Sequence, residues 1–524
     1  MNDMVSPPTS DLGSSLVSNL NIGYLGPSRI NNRQKTSFAN RKRTSPADAH
    51  WAQRSSLHPE IVGGVVKAID LCAIVGATVA MFAYQHGVKM APEAAVHGVL
   101  LMSLLAAMLF TASFQRIGGY KLAQLVKLRW QLTCAAAVWA ISASVLLSAA
   151  FFSGIFGIYP TAGAPGWMGT TLAFLLSERA IVSAAIAQWA RHGYLARNVV
   201  IVGAGEQGER LIEKLQKSQG MSVAIRGVFD DRGSRVPDSL GSHRVLGTTD
   251  ALLSFARRAP IDEVIITLPL SADQRVKELI EKLSPLAIDL RLSAEPITEN
   301  FGARGVSYVG DVALLGIVER PITSWNAVIK WFEDKVLGGF LLVLLAPVML
   351  LIALLIKLES RGSVFFVQER FGFNNNIIHV LKFRTMYTDC CDLGGAQRTV
   401  RNDPRVTPLG RVLRALSLDE LPQLLNVLKG EMSLVGPRPH ALPMMVGLRP
   451  YTDAVEKYAH RHRVKPGITG WAQVNGCRGE IDTIEKARTR VAYDLSYIDE
   501  WSPSLDLKIL ALTVTTLLQR RNAY

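Results

Sequence analysis

Asp419 and Glu420 are adjacent carboxylates in a stretch, residues 409–428, where Leu409, Val412, Leu413, Leu416, Leu421, Leu424, Leu425 and Leu428 recur at near-helical spacing around Pro422. Cations crowd them in sequence. Arg411 and Arg414 stand just before, Pro437-Arg438-Pro439 just after, and Lys382-Phe383-Arg384-Thr385-Met386 upstream. Phosphate chemistry uses these types: guanidinium groups clamp phosphoryl oxygens bidentately and ammonium groups act as point charges. A carboxylate holds a magnesium ion that bridges phosphates, or attacks phosphorus itself and splits a hard transfer into two easier steps through an acyl phosphate. By type alone the pair stays ambiguous, because an Asp-Glu step in a helical stretch is more often a solvated face or a cap. Arg411 and Arg414 also suit interfacial residues that snorkel toward headgroups, and Lys382 suits a stem packed under a sheet.

The elements that must carry these residues are partly membranous. Of 524 residues, 49% are hydrophobic, and the formal net charge is +14, a balance that suits nucleic acid, an anionic membrane surface or a phosphorylated substrate. Residues 1–58, rich in Ser, Asn, Pro and Arg, read as a disordered basic tail, with no apolar stretch near Met1 of the kind a cleavable signal peptide needs. Four apolar stretches follow within 59–190, at about 61–84, 94–114, 131–152 and 166–189, each near the ~20 residues of a membrane-spanning helix. The loop after the second carries Arg116, Lys121, Lys127 and Arg129, whereas 153–167 has no charge, which places both ends of the bundle in the cytoplasm. The basic residues track these membrane-facing loops, so nucleic acid is not expected as a partner. Glu178 and Arg179, at membrane depth, are read as helix-packing residues. The five cysteines, Cys72, Cys134, Cys390, Cys391 and Cys477, show no metal or disulfide spacing.

From Asn198 the pattern becomes α/β. Val199-Val200-Ile201-Val202 reads as a buried strand, Gly203-Ala204-Gly205-Glu206-Gln207-Gly208 as a glycine turn and Arg210 to Lys217 as a helix. Further strands are expected at Val223 to Phe229, ending in Asp230-Asp231, a pair suited to holding a ribose, and at Glu263 to Leu268. A Rossmann-like domain over 197–320 follows, with Gly203, Gly205 and Gly208 serving either a nucleotide or helix-strand packing. Were that unit the active part, the chain would be a membrane-tethered nucleotide-sugar epimerase or dehydratase, but no Tyr-x-x-x-Lys pair is evident after it.

One more apolar run, 336–356, has Pro347 at its middle and Lys335 and Lys357 at its flanks. A full crossing would put the regions on either side of it in different compartments, although both carry the basic residues expected inside. A re-entrant hairpin resolves the conflict, since proline removes a backbone donor and breaks the helical ladder.

The strings Lys382 to Met386, Ser417-Leu418-Asp419-Glu420-Leu421-Pro422-Gln423, Gly436-Pro437-Arg438-Pro439 and Lys465-Pro466-Gly467-Ile468-Thr469-Gly470-Trp471 resemble those of the bacterial polyprenyl-phosphate hexose-1-phosphate transferases. The resemblance covers nearly the whole chain and fits the long form of that family. Trp471-Ala472-Gln473-Val474-Asn475-Gly476, Arg478-Gly479-Glu480 and Asn522-Ala523-Tyr524 look most like the glucose-specific members of exopolysaccharide synthesis. It implies a multidomain membrane protein of the bacterial inner membrane: a four-helix transmembrane bundle, a Rossmann-like α/β domain, and a mainly α catalytic domain over 324–524 with a re-entrant helix, on the cytoplasmic face. It further implies a two-step reaction in which Asp419 attacks the sugar-bearing phosphate of UDP-glucose, UMP leaves, and undecaprenyl phosphate takes the phosphosugar. Glu420 would hold Mg2+, Arg438 would bind phosphate, and Lys382, Arg384 and Arg414 would complete a positive pocket. Asp494, in Tyr493-Asp494-Leu495, resembles a further acidic site position. Gln473 and Trp471 suit either the nucleotide pocket or plain glycine-flanked turns. UDP-galactose and UDP-N-acetylhexosamines are alternative donors, and a homodimer is possible. The family often has Ser-Pro where this chain has Ala346-Pro347, so a hydroxyl that would bond a freed carbonyl is missing.

Overall fold

The computed structural model describes residues 58–86, 93–152, 164–217, 223–269, 272–294, 307–309, 312–388, 403–440, 445–446, 449–477, 479 and 483–518. The basic tail, apart from His58, lies outside them, as do Cys390, Cys391, Arg478, Glu480 and Asn522-Ala523-Tyr524.

Four apolar helices come first: α1 (Pro59–His86), α2 (Glu93–Arg116), α3 (Leu128–Phe152) and α4 (Ala164–Arg191). Within α1, α3 and α4 the described residues are long and apolar enough to cross a membrane, and α2 contributes the shorter apolar helix Leu100–Arg116. Ala106, Ala107, Phe110, Phe114, Trp139 and Leu175 close the space between them. Arg179 is buried there and pairs with Asp70, donates to Gln131 Oε1 at 3.0 Å and lies 4.5 Å from the centre of the Phe114 ring. Tyr120 Oη donates to the same Asp70 carboxylate at 2.6 Å. Arg179 thus ties α4 to α1 and α3, the packing role its sequence context suggested; an isolated charge at this depth would cost several kilocalories per mole.

An eight-stranded sheet follows: β1 (Arg197–Val202), β2 (Val223–Phe229), β3 (Ser239–Leu240), β4 (His243–Gly247), β5 (Glu263–Ile266), β6 (Asp289–Ser293), β7 (Ser307–Val309) and β8 (Val312–Val318), in the order β3-β4-β2-β1-β5-β6-β8-β7. Its centre, β4-β2-β1-β5-β6, is parallel and its edges antiparallel. Parallel strands are buried on both faces, which is why Val199, Val200, Ile201, Val264, Ile265 and Ile266 are all inaccessible. The glycine turn serves the packing of α5 (Glu206–Lys217). A Cβ on Gly208 would lie 2.3 Å from the Gly203 carbonyl oxygen, and Gly203 has φ +114°. The acidic pair is engaged within the protein. Asp230 accepts from the Ala204 amide at 2.7 Å and from the Arg232 guanidinium, while Asp231 accepts from the Thr249 amide at 2.7 Å. Asp230 closes the turn to Arg232, and Asp231 reaches across to the start of the helix at Thr249, roles that a position at a strand end satisfies as well as ligand binding does.

The remaining body begins with α6 (Ser324–Phe332), a π-helical turn over Glu333–Leu337 and α7 (Gly338–Glu359). A re-entrant hairpin was expected here, and Pro347 lies inside a helical segment that continues on both sides of it: the lost backbone bond is offset by packing along both halves. Leu337, Leu341, Leu342 and Leu345 join a core with Leu424, Leu434 and Ile509, whereas Met349, Ile352, Ala353 and Ile356 join Phe383, Leu413 and Leu421. Leu344, Leu350, Leu351, Leu354 and Leu358 remain exposed as an apolar face. After α7 come the hairpin β9 (Phe365–Phe371) and β10 (Ile377–Phe383), helices α8 (Pro408–Ala415) and α9 (Gln423–Lys429), the parallel pair β11 (Ser433–Val435) and β12 (Gly467–Thr469), and helices α10 (Ile484–Asp499) and α11 (Pro503–Leu518).

Candidate active site

The leucine periodicity over 409–428 suggested a single helix broken at Pro422, but the chain breaks earlier. Thr407 caps α8 by accepting from the Gly410 amide, and Ser417 takes a left-handed conformation (φ +56°) that ends it. Leu418–Glu420 then form a single 3-10 turn before Pro422 opens α9. Asp419 and Glu420 therefore sit in the gap between two short helices, where side chains project into a cleft rather than along a helix flank.

Two strands deliver the cations that clasp Glu420. Lys382 stands near the end of β10 and its Nζ donates to Glu420 Oε1 at 2.8 Å. Arg438 lies in the loop after β11 and grips Glu420 with both guanidinium arms, Nη1 reaching Oε2 at 2.8 Å and Nη2 reaching Oε1. That loop is set by glycines at close approach: a Cβ on Gly467 would lie 2.1 Å from the Gly436 nitrogen, and one on Gly470 2.2 Å from the Gly436 oxygen. The Gly-Pro-Arg-Pro and Lys-Pro-Gly-Ile-Thr-Gly strings are thus two halves of one packed crossing. Asp334, in the π turn, accepts from the Leu434 amide at 2.9 Å and fixes β11 against the start of α7.

Charge divides the two carboxylates. Burial works against ionising Glu420, but Arg438 and Lys382 override it and hold the group well below the usual carboxylate range. For Asp419 the balance reverses: burial, with the neighbouring Glu420 charge, pushes its carboxyl above the ordinary value despite Lys382, Arg414 and Arg438. Burial also lowers Lys382, whose charge Glu420 supports. Arg414 donates from Nε to Thr385 Oγ1 at 2.8 Å, which holds it beside the Asp419 turn, whereas Arg411 is exposed.

Arg384 is placed differently from the expectation of a phosphate ligand. Its guanidinium is buried and donates to the carbonyls of Ser360 (2.7 Å), Arg361 (2.8 Å) and Ile356 (3.3 Å), the C-terminal end of α7, where orphan carbonyls call for a cation. Asp494 is likewise one layer back. It is buried, accepts from Arg461 Nη2 at 2.6 Å, and Arg461 in turn donates to the Arg438 carbonyl at 2.7 Å. Burial raises the Asp494 carboxyl. Sequence reading passed over Arg461 and also Arg370, whose Nη1 donates to the Pro439 carbonyl at 2.5 Å and whose pKa burial lowers to about 10. The alternation of β9, with Gln368 and Arg370 on one side, was the signal available for Arg370.

Glu420, Arg438, Ser417 and Gln473 form the polar end of a cavity of about 240 Å3, continued by Leu341 and Leu345 of α7 and Leu510 of α11. Gln473 Nε2 donates to the Ile468 carbonyl at 3.2 Å, and its buried Oε1 has no hydrogen-bond partner among the described residues. Trp471 packs outside it with the Lys508 ammonium 5.4 Å from its ring centre. Among the described residues no group of three or more His, Cys, Asp or Glu side chains is placed to hold a metal ion by itself.

Residues 325–520 match the family model described as bacterial sugar transferase, and residues 115–294 match one described as a CoA-binding domain. An undecaprenyl-phosphate glucose phosphotransferase of Komagataeibacter xylinus is 37% identical over 472 residues, covering 89% of this chain and 86% of the relative. A UDP-glucose:undecaprenyl-phosphate glucose-1-phosphate transferase of Escherichia coli is 35% identical over 430 residues, 81% of this chain and 90% of the relative. A UDP-N-acetylgalactosamine-undecaprenyl-phosphate N-acetylgalactosaminephosphotransferase of Aeromonas hydrophila is 41% identical over 217 residues, 41% of this chain and 48% of the relative. With most of its length matched and the carboxylate-arginine cleft inside the matched transferase region, the chain belongs to the bacterial sugar transferases, the polyprenyl-phosphate hexose-1-phosphate transferase family.

Proposed function

We propose that this chain transfers glucose-1-phosphate from UDP-glucose to undecaprenyl phosphate at the cytoplasmic face of a bacterial inner membrane, the step that starts an exopolysaccharide repeat unit. An Asp419 oxygen attacks the sugar-bearing phosphorus, the bond from that phosphorus to the bridging oxygen breaks, and UMP leaves with the bridging oxygen. The result is an aspartyl phosphosugar. An oxygen of undecaprenyl phosphate then attacks the same phosphorus and returns the Asp419 carboxylate, giving undecaprenyl-diphosphate-glucose. The observation that carries this reading is the division of labour in the dyad: Glu420 is locked by Lys382 and Arg438, while Asp419 beside it is held in a half-buried turn with a raised pKa, which makes its carboxylate the more basic nucleophile.

Lys382, Arg414 and Arg438 bring three cations to bear on Asp419, and in this reading they balance charge building on the phosphoryl oxygens. The donor set fits Mg2+ in the form that metal prefers, one or two carboxylates with substrate phosphates supplying the rest. Glu420 would hold it, with Asp419 kept as the nucleophile; Glu420 Oε2 accepts from a single described donor, Arg438. When bound there, Mg2+ would neutralise diphosphate charge. That both halves of α7 pack against the same catalytic body supports its entering the membrane from the cytoplasmic side with both ends facing that side. Glucose is favoured by the two relatives matched over most of their length; the Aeromonas relative keeps an N-acetylhexosamine donor as the second reading. The test is detergent-solubilised protein with Mg2+, undecaprenyl phosphate and a panel of UDP-sugars, followed by UMP release. UMP released equally from every UDP-sugar, or from none, overturns the assignment.

A further inference from the structure

We infer that the cavity between α7 and α11 receives the phosphate-proximal isoprene units of the lipid acceptor, and that α11 is the element that selects it; this rests on the reaction proposed above. The charged lining of the cavity is Glu420 and Arg438, and most of the rest is apolar, with Leu341 and Leu345 from α7 and Leu510 from α11. A phosphate monoester carrying a hydrocarbon tail matches that polarity, with its head at the Arg438 guanidinium. A nucleotide diphosphate sugar does not, because it would bury unpaired hydroxyls and a base edge against leucine.

Two threonines of α11 also line the cavity, but they leave it apolar. Thr513 Oγ1 donates to the Ile509 carbonyl and Thr516 Oγ1 to the Leu512 carbonyl, each at 2.7 Å, so neither hydroxyl is an unmet donor there. Size adds a limit. At about 240 Å3 the space is smaller than the ~300–1,000 Å3 of sites that enclose a whole drug-sized ligand, so it takes the first units of a long chain and the rest must continue elsewhere. The continuation is at hand, since Leu341 and Leu345 share α7 with the exposed apolar face formed by Leu344, Leu351 and Leu358. The wall is also fixed in place. Asp506, buried near the start of α11, accepts from Lys330 Nζ (2.6 Å), Tyr497 Oη (2.9 Å) and Trp501 Nε1 (3.0 Å), which anchors the helix to α6 and α10 and leaves Leu510 at a set distance from α7.

The experiment has two arms on full-length protein in detergent. In the first, a short isoprenyl phosphate bearing a diazirine at its second isoprene unit is photolysed on the protein and the labelled peptides are sequenced. Labelling of residues 503–518 together with 338–348, competed by undecaprenyl phosphate and not by UDP-glucose, is the expected result. Labelling confined to other segments, or competed only by UDP-glucose, overturns the inference, and this arm reads binding whether or not the chain turns over. In the second arm, Leu510→Trp fills the cavity and Leu510→Ile keeps its volume. Leu510→Trp is expected to raise the KM for undecaprenyl phosphate about tenfold or more, with a much smaller rise for UDP-glucose and recovery in Leu510→Ile. Equal rises for both substrates, or none, overturn it, while absence of UMP release from the parent protein would count against the reaction itself.

Discussion

Arg438 and Glu420 face each other as a two-pronged ion pair, Nη1 to Oε2 at 2.8 Å with Nη2 on Oε1, and Lys382 Nζ completes the clasp on Oε1 at 2.8 Å. One carboxylate of the dyad is thereby immobilised and the other is left to react. Removing Arg438 should leave a largely buried charge short of its partner, at a cost of about 3 kcal/mol. In thermal denaturation, Arg438→Ala should lower Tm clearly, and the double variant with Glu420→Gln should lose less than the sum of the single losses. Strict additivity would contradict the pairing.

Asp419→Asn should reduce UMP release by at least about a thousandfold, because the amide has no carboxylate oxygen to form the phosphosugar adduct. Its Tm should stay close to that of the parent. A variant that released UMP as fast as the parent would show that the nucleophile lies elsewhere.

The pH dependence follows from the opposite shifts in the dyad. Asp419 is raised above the ordinary aspartate value, so its nucleophilic form is lost as pH falls through that raised value, and kcat/KM for UDP-glucose should decline on the acid side earlier than a solvent-exposed aspartate would allow. Glu420, held well below the usual range, stays charged through the same window. Its stabilising contribution is present above the unfolded carboxylate pKa and disappears only as pH drops through its depressed folded value. An acid limb unchanged in a variant that removes charge near Asp419, such as Arg414→Gln, would remove this explanation.

Asp494 acts through Arg461 on the Arg438 loop. Asp494→Asn should lower kcat about tenfold with a smaller change in KM, and Asp494→Glu should restore part of it. A purely structural role would instead lower Tm and the fraction of active protein without changing kcat per active site.

Arg384 closes the end of α7. Arg384→Ala should destabilise the protein by about 2 kcal/mol, as expected for carbonyls that lose a charged donor, while raising the KM for UDP-glucose less than Arg438→Ala does. The reverse ranking would return Arg384 to the substrate.

Local pattern was enough for several of these features. Apolar runs of about twenty residues named the helices of the bundle, since length and hydrophobicity alone decide what can cross a bilayer. The run Val199 to Val202 followed by Gly203 named the first strand and turn of the sheet, because buried parallel strands are continuously apolar. The chemistry of Asp419, Glu420, Lys382 and Arg438 was legible as residue types, and the strings around them as a family. Tertiary structure decided the rest. Whether a cation meets substrate or a helix end depends on which elements pack beside it: Lys382 and Arg384 are two residues apart, yet one reaches Glu420 and the other the end of α7. Asp230 looked available for a ribose until the Ala204 amide and Arg232 were folded onto it. The different characters of Asp419 and Glu420 also belong to the fold alone, because adjacent carboxylates are equivalent in sequence until burial and a guanidinium from a distant loop set them apart.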